Sequence, residues 1–109
     1  MTEELKPEPP EHLRAATREW WKETVETYQL EPHHVLILTA ASECLDRATE
    51  AREAIANDGP YFLDRHGQRR PHPGLQVERD NRALFSRLLR ELALDVELPG
   101  ENRPPPIRR

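Results

Sequence analysis

The sequence predicts a mainly α-helical protein with three helices, the longest in the centre, and a small β-hairpin before the last helix. Apolar side chains recur at helical spacing in three stretches of the chain, which predicts the helices. A segment that favours extended backbone separates the second stretch from the third, which predicts the hairpin. A short turn joins the first two stretches, so we expect an antiparallel N-terminal helical hairpin.

The central helix is predicted from Pro32 to about Asn57. Proline suits the first helical position, and Gly59 followed by Pro60 marks the end. The apolar stripe of this helix consists of Leu38, Ala41, Leu45, Ala48 and Ile55. Arg47, Glu50 and Glu53 fall largely off the stripe. A helix of this length approaches about 40 Å, which is longer than a compact domain of this size needs, and this predicts a neighbouring subunit.

The first helix is predicted over about residues 13–28 and contains the adjacent Trp20 and Trp21. We expect one indole to pack against the central helix and the other to be a lid or a subunit contact. The alternative is that both lie in one core. His33 and His34 open the central helix on adjacent positions, which face about 100° apart, so we expect capping or solvent-facing roles rather than a metal site.

The predicted hairpin begins with Tyr-Phe-Leu at residues 61–63, a run that favours extended backbone. Asp64 can open a type I turn, and Gly67 can take the left-handed position that closes a three-residue loop. The loop and the return strand contain the densest positive cluster of the sequence, opposed only by Asp64. The members of this cluster are Arg65, His66, Arg69, Arg70 and His72.

The last helix is predicted to begin at Pro73 or Leu75 and to end near Ala93. It has an apolar face broader than packing on one helix requires, which indicates a subunit interface. This face consists of Leu84, Phe85, Leu88, Leu89 and Leu92, while Arg79, Arg82, Arg87 and Arg90 cover other sides. The tail that follows is rich in proline, which favours an extended polyproline II arm suited to docking on a partner; a disordered end is the alternative. The candidate docking residues are Arg103, Pro104, Pro105, Pro106, Ile107, Arg108 and Arg109.

Composition sets further limits on the function. The 109 residues predict one domain, divided into a flexible arm at 1–10, a helical domain at 11–94, and a Pro/Arg-rich tail at 95–109; oligomerisation and DNA recognition by the helical domain are implied by the resemblance described below. The net charge of −4 divides into −7 for residues 1–60 and +3 for residues 61–109, and the second part has ten arginines and no lysine. GC-rich coding DNA is an alternative explanation of this choice. The single cysteine, Cys44, excludes an internal disulfide and is expected to be a small buried thiol.

Several classes of protein have no support in the sequence. There is no phosphate-binding glycine loop, no nucleophile-elbow serine and no histidine with an acid at a metal-ligand spacing, so we expect no enzyme, cofactor or metal. We expect no membrane span and no signal segment, hence a cytoplasmic protein. The absence of a short helix pair with a tight turn disfavours a helix-turn-helix repressor.

The order of the motifs resembles a family. Pro-Glu-His-Leu at residues 10–13 leads into a Trp-containing helix, which a short turn joins to a long helix. Next come a Gly-bearing hairpin and His-Pro-Gly-Leu at residues 72–75. The last helix ends with Glu-Leu at residues 91–92. This looks like a phage terminase small subunit of the short helical type. The chain departs from the family at Arg14, where a capping Ser or Thr is usual, and at residues 92–95, where a Gly-containing ending is common.

The resemblance implies a non-catalytic, ring-forming protein that recognises the packaging site on double-stranded phage DNA. It implies delivery of this DNA to the large terminase subunit, which holds the ATPase and nuclease, in the host cytoplasm. The candidate DNA contacts are Arg65, His66, Arg69 and Arg70, with Arg79 and Arg82 as second choices, and the candidate oligomer contacts are Trp20, Trp21 and the apolar face of the last helix. The alternative is a helical adaptor that regulates a partner enzyme without binding DNA.

Overall fold

The computed structural model describes residues 7–95, with side chains as far as residue 92. Its elements are three helices, α1 (Ala15–Thr27), α2 (Pro32–Asp58) and α3 (Pro73–Asp95), and two strands, β1 (Tyr61–Leu63) and β2 (Arg69–Pro71), which pair as an antiparallel hairpin between α2 and α3. The predicted fold class is therefore confirmed. None of the helices within residues 7–95 combines the length and apolar content needed to span a bilayer.

Helix α2 begins and ends where the sequence predicts. Pro32 occupies the first turn, and the Nδ1 atom of His34 accepts the backbone N–H of Glu31 at 3.0 Å. His34 is thus a buried capping residue, one of the two roles expected for the histidine pair. At the other end Gly59 has φ of 89°, a value that favours glycine, and its N–H donates to the carbonyl of Ile55 at 2.7 Å.

The N-terminus of α1 is capped by a side chain from α2. Asp46 accepts the backbone N–H of Arg14 at 2.8 Å and the hydroxyl of Thr17 at 2.6 Å, and it is 2% exposed. This carboxylate accepts the N–H of the N-cap residue itself, which is the role of the acid in a capping box, and Arg14 makes no side-chain cap bond of its own. Further along, Trp21 Nε1 donates to Thr39 Oγ1 at 3.2 Å. These contacts run in opposite directions along the two helices, so the predicted antiparallel helical hairpin is present.

The core lies where the three helices meet. Its buried members are Leu13, Trp21, Leu38 and Leu92, with Trp20, Val25, Leu30, Val35, Ile37 and Leu89 packed against them. The stripe of α2 predicted from the sequence is buried at four of its five positions, and Leu45 is half-buried. The charged Arg47, Glu50 and Glu53 are exposed, as predicted.

Small residues let α3 approach α2 closely near the hairpin. A Cβ atom on Gly74 would lie 3.3 Å from the carbonyl oxygen of Ala51 and 3.1 Å from His72 Nδ1, so a larger residue there would crowd both neighbours. One turn further along, an ion pair of 3.8 Å joins Arg52 to Glu78. Near the other end of α3, Leu92 lies in the core cluster with Leu38 of the first part of α2, so α3 packs antiparallel to α2.

The end of the predicted N-terminal arm belongs to the folded body. Pro9 is buried, and the carbonyl of Pro10 accepts a hydrogen bond from Arg18 Nη1 at 2.9 Å. The arm was predicted to extend through residue 10 because proline-rich acidic sequence lacks periodicity. This prediction is wrong for Pro9 and Pro10, since packing against α1 fixes them. The tail from 96 to 109 lies outside the described residues.

Candidate nucleic-acid interface

The hairpin between α2 and α3 projects from the helices with every strand residue exposed. Gly67 has φ of 76°, and the N–H groups of Asp64 and Gly67 donate to the carbonyls of Gln68 and Asp64, both at 2.9 Å. These bonds close a three-residue loop, as the sequence predicts. Residues that pair directly share a face of a hairpin. The register therefore places Tyr61, Leu63, Arg69 and Pro71 on one face, and Phe62 with Arg70 on the other.

Asp64 organises the loop and neutralises one arginine. Its Oδ1 atom accepts the N–H groups of His66 and Gln68 at 2.8 Å and 2.9 Å, and its Oδ2 atom accepts Arg70 Nε at 2.9 Å. These hydrogen bonds lower the pKa of Asp64 below its ordinary value. The bond from the Gln68 N–H has the largest effect, the bond from the Arg70 guanidinium the next, and the bond from the His66 N–H a smaller one. The carboxylate is thus held charged, and Arg70 is engaged within its own hairpin.

Arg69 is held by an aromatic ring. Its guanidinium carbon lies 4.7 Å from the centroid of the Tyr61 ring, a cation–π distance. This contact orients Arg69 without neutralising its charge. At the loop, Arg65 and His66 are exposed and take no part in the ion pairs of the described residues.

The two arginines chosen on α3 differ in their surroundings. Arg79 is exposed and lines an open depression at the hairpin base together with Pro71 and His72. Arg82 donates to Glu78 at 3.0 Å, one turn away on the same helix. The structure therefore brings Arg79 beside the hairpin, whereas Glu78 offsets the charge of Arg82.

His72 joins the hairpin to both flanking helices, a role the sequence did not reveal. Its Nδ1 atom accepts the N–H of Gly74 at 2.8 Å in the first turn of α3, and its Nε2 atom lies 3.0 Å from Asp58 Oδ2 at the end of α2. Because Nδ1 accepts, Nε2 carries the proton that is donated to Asp58. Asp58 is thus a second acid at the base of the hairpin, and it engages His72 by a hydrogen bond rather than an arginine by an ion pair. The His-Pro-Gly spacing was the available signal, since it places an acceptor two residues before the Gly74 N–H.

The expected oligomer contacts divide into two groups. Trp21 and Leu92 are 1% and 7% exposed in the core of this chain, so the assignment of both to a subunit interface is wrong. Trp20 and Phe85 contact each other, with ring centroids 5.9 Å apart, and Leu89 packs on the core. Leu84 is 38% exposed and lines an open groove with the half-buried Leu88.

This groove lies between α2 and α3 and is lined by side chains from both helices. Its apolar walls are Ala40, Cys44, Leu84 and Leu88, and its rim is His12, Glu43, Arg47 and Asn81. Cys44 is buried, as expected from its position in α2. Burial and the neighbouring Glu43 raise the pKa of the Cys44 thiol. The broad apolar face predicted on α3 thus divides in two: one part packs in or against the core, and the other part, Leu84 and Leu88, lines the groove.

Within residues 7–95, no three His, Cys, Asp or Glu side chains come together in a way that could hold a metal ion. Comparison with known proteins gives no further assignment, because no family model, no curated protein and no solved structure matches the chain. The arrangement of charges and exposed side chains is therefore the basis for assigning a function.

Proposed function

We propose that this chain is the small, non-catalytic subunit of a viral DNA-packaging terminase. It assembles into a homo-oligomeric ring in the host cytoplasm, binds the packaging site on double-stranded phage DNA, and delivers that DNA to the large ATPase and nuclease subunit, whose activities it regulates. One observation carries the proposal: an exposed hairpin presents Arg65, His66 and Arg69 to solvent, with Arg79 at its base. Arginine forks bind phosphate oxygens in pairs, which suits this surface to a nucleic-acid backbone.

The ion pairs of the candidate arginines determine how much each is expected to contribute to DNA affinity. Arg65 and Arg79 contribute most to DNA affinity, because no carboxylate of the described residues neutralises them. Arg70 and Arg82 contribute less, because Asp64 and Glu78 hold them at 2.9 Å and 3.0 Å. Phosphate contacts position a protein on DNA and do not read its sequence. Recognition of one packaging site therefore needs further contacts to base edges.

The test is a charge reversal at the two unpaired arginines. We expect Arg65→Glu with Arg79→Glu to weaken binding to double-stranded DNA, and to lower the slope of log affinity against log salt by about one for each lost phosphate contact. Fluorescence anisotropy across a salt series measures both quantities. The matched control is Arg87→Glu with Arg90→Glu, the same charge change at two exposed α3 positions far from the hairpin. Equal affinity and slope in both double variants would remove the hairpin from the DNA interface.

A protein-binding adaptor is the second candidate function, and one observation favours it. Tyr61, Phe62 and Leu63 are 51%, 47% and 68% exposed, and consecutive exposed apolar side chains are characteristic of protein contacts. A gel shift separates the two functions. Lack of retardation of cognate end DNA, together with a stable complex with a large partner protein, would favour the adaptor.

A further inference from the structure

Besides the exposed Leu36 and Val77, residues 7–92 expose apolar side chains at two separate places. The first is the hairpin face, formed by Tyr61, Leu63, Arg69 and Pro71, on which Leu63 is the most exposed apolar side chain. The second is the α2–α3 groove, whose walls are Ala40, Cys44, Leu84 and Leu88. A free-standing two-stranded hairpin is marginal in water, and apolar residues on it gain stability when they are covered.

The hairpin cannot reach the groove of its own chain. Cys44, the apolar wall residue of α2 nearest to the hairpin, lies about 21 Å along the helix from Asp58, where the helix ends and the hairpin begins. The strands are three residues long, about 10 Å, and α3 returns directly from Pro73 to pack along α2. A hairpin in the groove must therefore come from a second molecule.

The charges of the two surfaces complement each other. The hairpin face carries Arg69, and Arg65 lies at its loop. The groove rim carries Glu43, which lies 3.0 Å from His12, and Arg47, which pairs with Glu50 at 3.0 Å. Among Glu43, Arg47 and Glu50 two carboxylates stand against one guanidinium, so this part of the rim has the sign opposite to that of Arg69.

We propose that the hairpin face of one copy seats Tyr61 and Leu63 in the α2–α3 groove of the next copy, with Arg69 beside Glu43. We call this contact the hairpin–groove joint. It is heterologous, because each copy uses one surface as donor and the other as acceptor, and repetition of such a contact closes a ring when the rotation permits. The inference rests on the proposed function for self-association and adds the surfaces that associate.

The joint leaves part of the hairpin open. Phe62 and Arg70 lie on the opposite face, and Arg65 and His66 lie at the loop. One set of cationic side chains therefore remains accessible at every joint, repeated around the assembly.

The test uses two variants that each block one side of the joint. Leu63→Glu blocks the hairpin face, and Leu84→Glu blocks the groove; both side chains are exposed, at 68% and 38%, so neither change disturbs the core. We expect each variant alone to be monomeric by light scattering coupled to size exclusion. Their equimolar mixture should restore a dimer, because one intact hairpin and one intact groove remain. Ser86→Glu, at an exposed position of α3 that lines neither the groove nor the depression at the hairpin base, is the control and should assemble like the parent chain.

Several results would overturn the joint. These are a monomeric parent chain, a Leu84→Glu variant that assembles like the parent, and a mixture of the two variants that stays monomeric while the parent assembles. A hairpin-to-hairpin contact, the isologous alternative, predicts assembly of Leu84→Glu and therefore falls in this group.

Cross-linking tests the same joint without disrupting it. In a Cys44→Ser background, Leu63→Cys with Ala40→Cys places one thiol on each side of the joint. Oxidation should give a ladder of disulfide-linked multimers, whereas Leu63→Cys with Lys22→Cys, which moves the second thiol to the exposed face of α1, should not. Ladders from both pairs, or from neither, would contradict the proposal.

Failure of the joint and failure of the proposed function give different results. A chain that shows the complementation pattern but binds no DNA retains the joint and loses the terminase proposal. A monomeric chain that binds DNA through Arg65 and Arg79 retains DNA binding and loses the joint.

Discussion

Asp46 shows how one residue replaces a missing local signal. The residue before α1 is Arg14, which offers no side-chain cap, and the cap comes from α2 in the form of a buried carboxylate. Negative charge at a helix N-terminus is favourable because the backbone N–H groups there lack partners. The sequence showed that Arg14 stands where a capping Ser or Thr is usual. It did not show that Asp46 accepts the Arg14 N–H, because Asp46 lies thirty-two positions away.

We expect Asp46→Ala to lower the free energy of unfolding by about 2 kcal/mol. The change leaves the buried Thr17 hydroxyl and the Arg14 N–H without their acceptor. Urea denaturation followed by far-UV circular dichroism measures this difference. Glu50→Ala, which removes an exposed carboxylate from the same helix, is the control and should change stability by no more than about 0.5 kcal/mol. Equal stability of the two variants would show that the cap contributes little.

At the scale of elements, the hairpin depends on one titrating side chain. The hydrogen bonds from Gln68, Arg70 and His66 lower the pKa of Asp64 from its ordinary 3.8. A group with a lowered pKa in the folded state stabilises that state fully above its ordinary pKa and loses this contribution as the pH falls through the lowered value. The hairpin should therefore be most ordered at neutral pH and should loosen in acid.

We expect the backbone amides of His66 and Gln68 to lose protection from hydrogen exchange below about pH 4, because a protonated Asp64 accepts more weakly. Amide exchange, corrected for the intrinsic pH dependence of exchange, measures this change. Asp64→Asn keeps an acceptor oxygen but does not titrate, so its loop should show a flat profile over the same range. Identical profiles for the parent and the variant would assign the acid effect to another group.

The elements themselves could be predicted from the sequence, since apolar periodicity, Pro32, Gly59 and Gly67 determine them locally. The pairing of side chains between elements could not be predicted. The broad face of α3 divided because α1 covers Phe85, Leu89 and Leu92 and leaves Leu84 and Leu88 at the groove. Periodicity shows that a face is apolar, but it does not show which neighbour covers each part.

The same limit applies to the candidate site. The positive cluster was visible in the sequence, yet its effective charge depends on contacts between residues that fold together. Asp64 engages Arg70, Glu78 engages Arg82, and Asp58 engages His72. From the sequence, Arg70 was a stronger candidate for contacting DNA than Arg79. The ion pairs favour the reverse order, because Asp64 engages Arg70.

At the scale of the whole molecule, net charge opposes DNA binding by a single chain. A monomer of net charge −4 repels the DNA polyanion except where its cationic hairpin approaches. Assembly through the hairpin–groove joint repeats the accessible hairpin residues, and simultaneous contacts raise the affinity without any new interaction. DNA binding should therefore depend on assembly as well as on the arginines.

This dependence gives a prediction for a variant that changes no cationic residue. Leu84→Glu lies in the groove, whereas Arg79, about 140° away around α3, lines the separate depression at the hairpin base. The change should weaken DNA affinity by at least about tenfold because it removes the multivalent contacts. Anisotropy at fixed salt measures the affinity, and light scattering of the same samples reports the assembly state. Ser86→Glu adds the same negative charge at an exposed position of the same helix, outside the groove and the depression at the hairpin base, and should retain most of the parent's affinity. A monomeric Leu84→Glu chain that bound DNA as tightly as the parent would show that each hairpin acts alone.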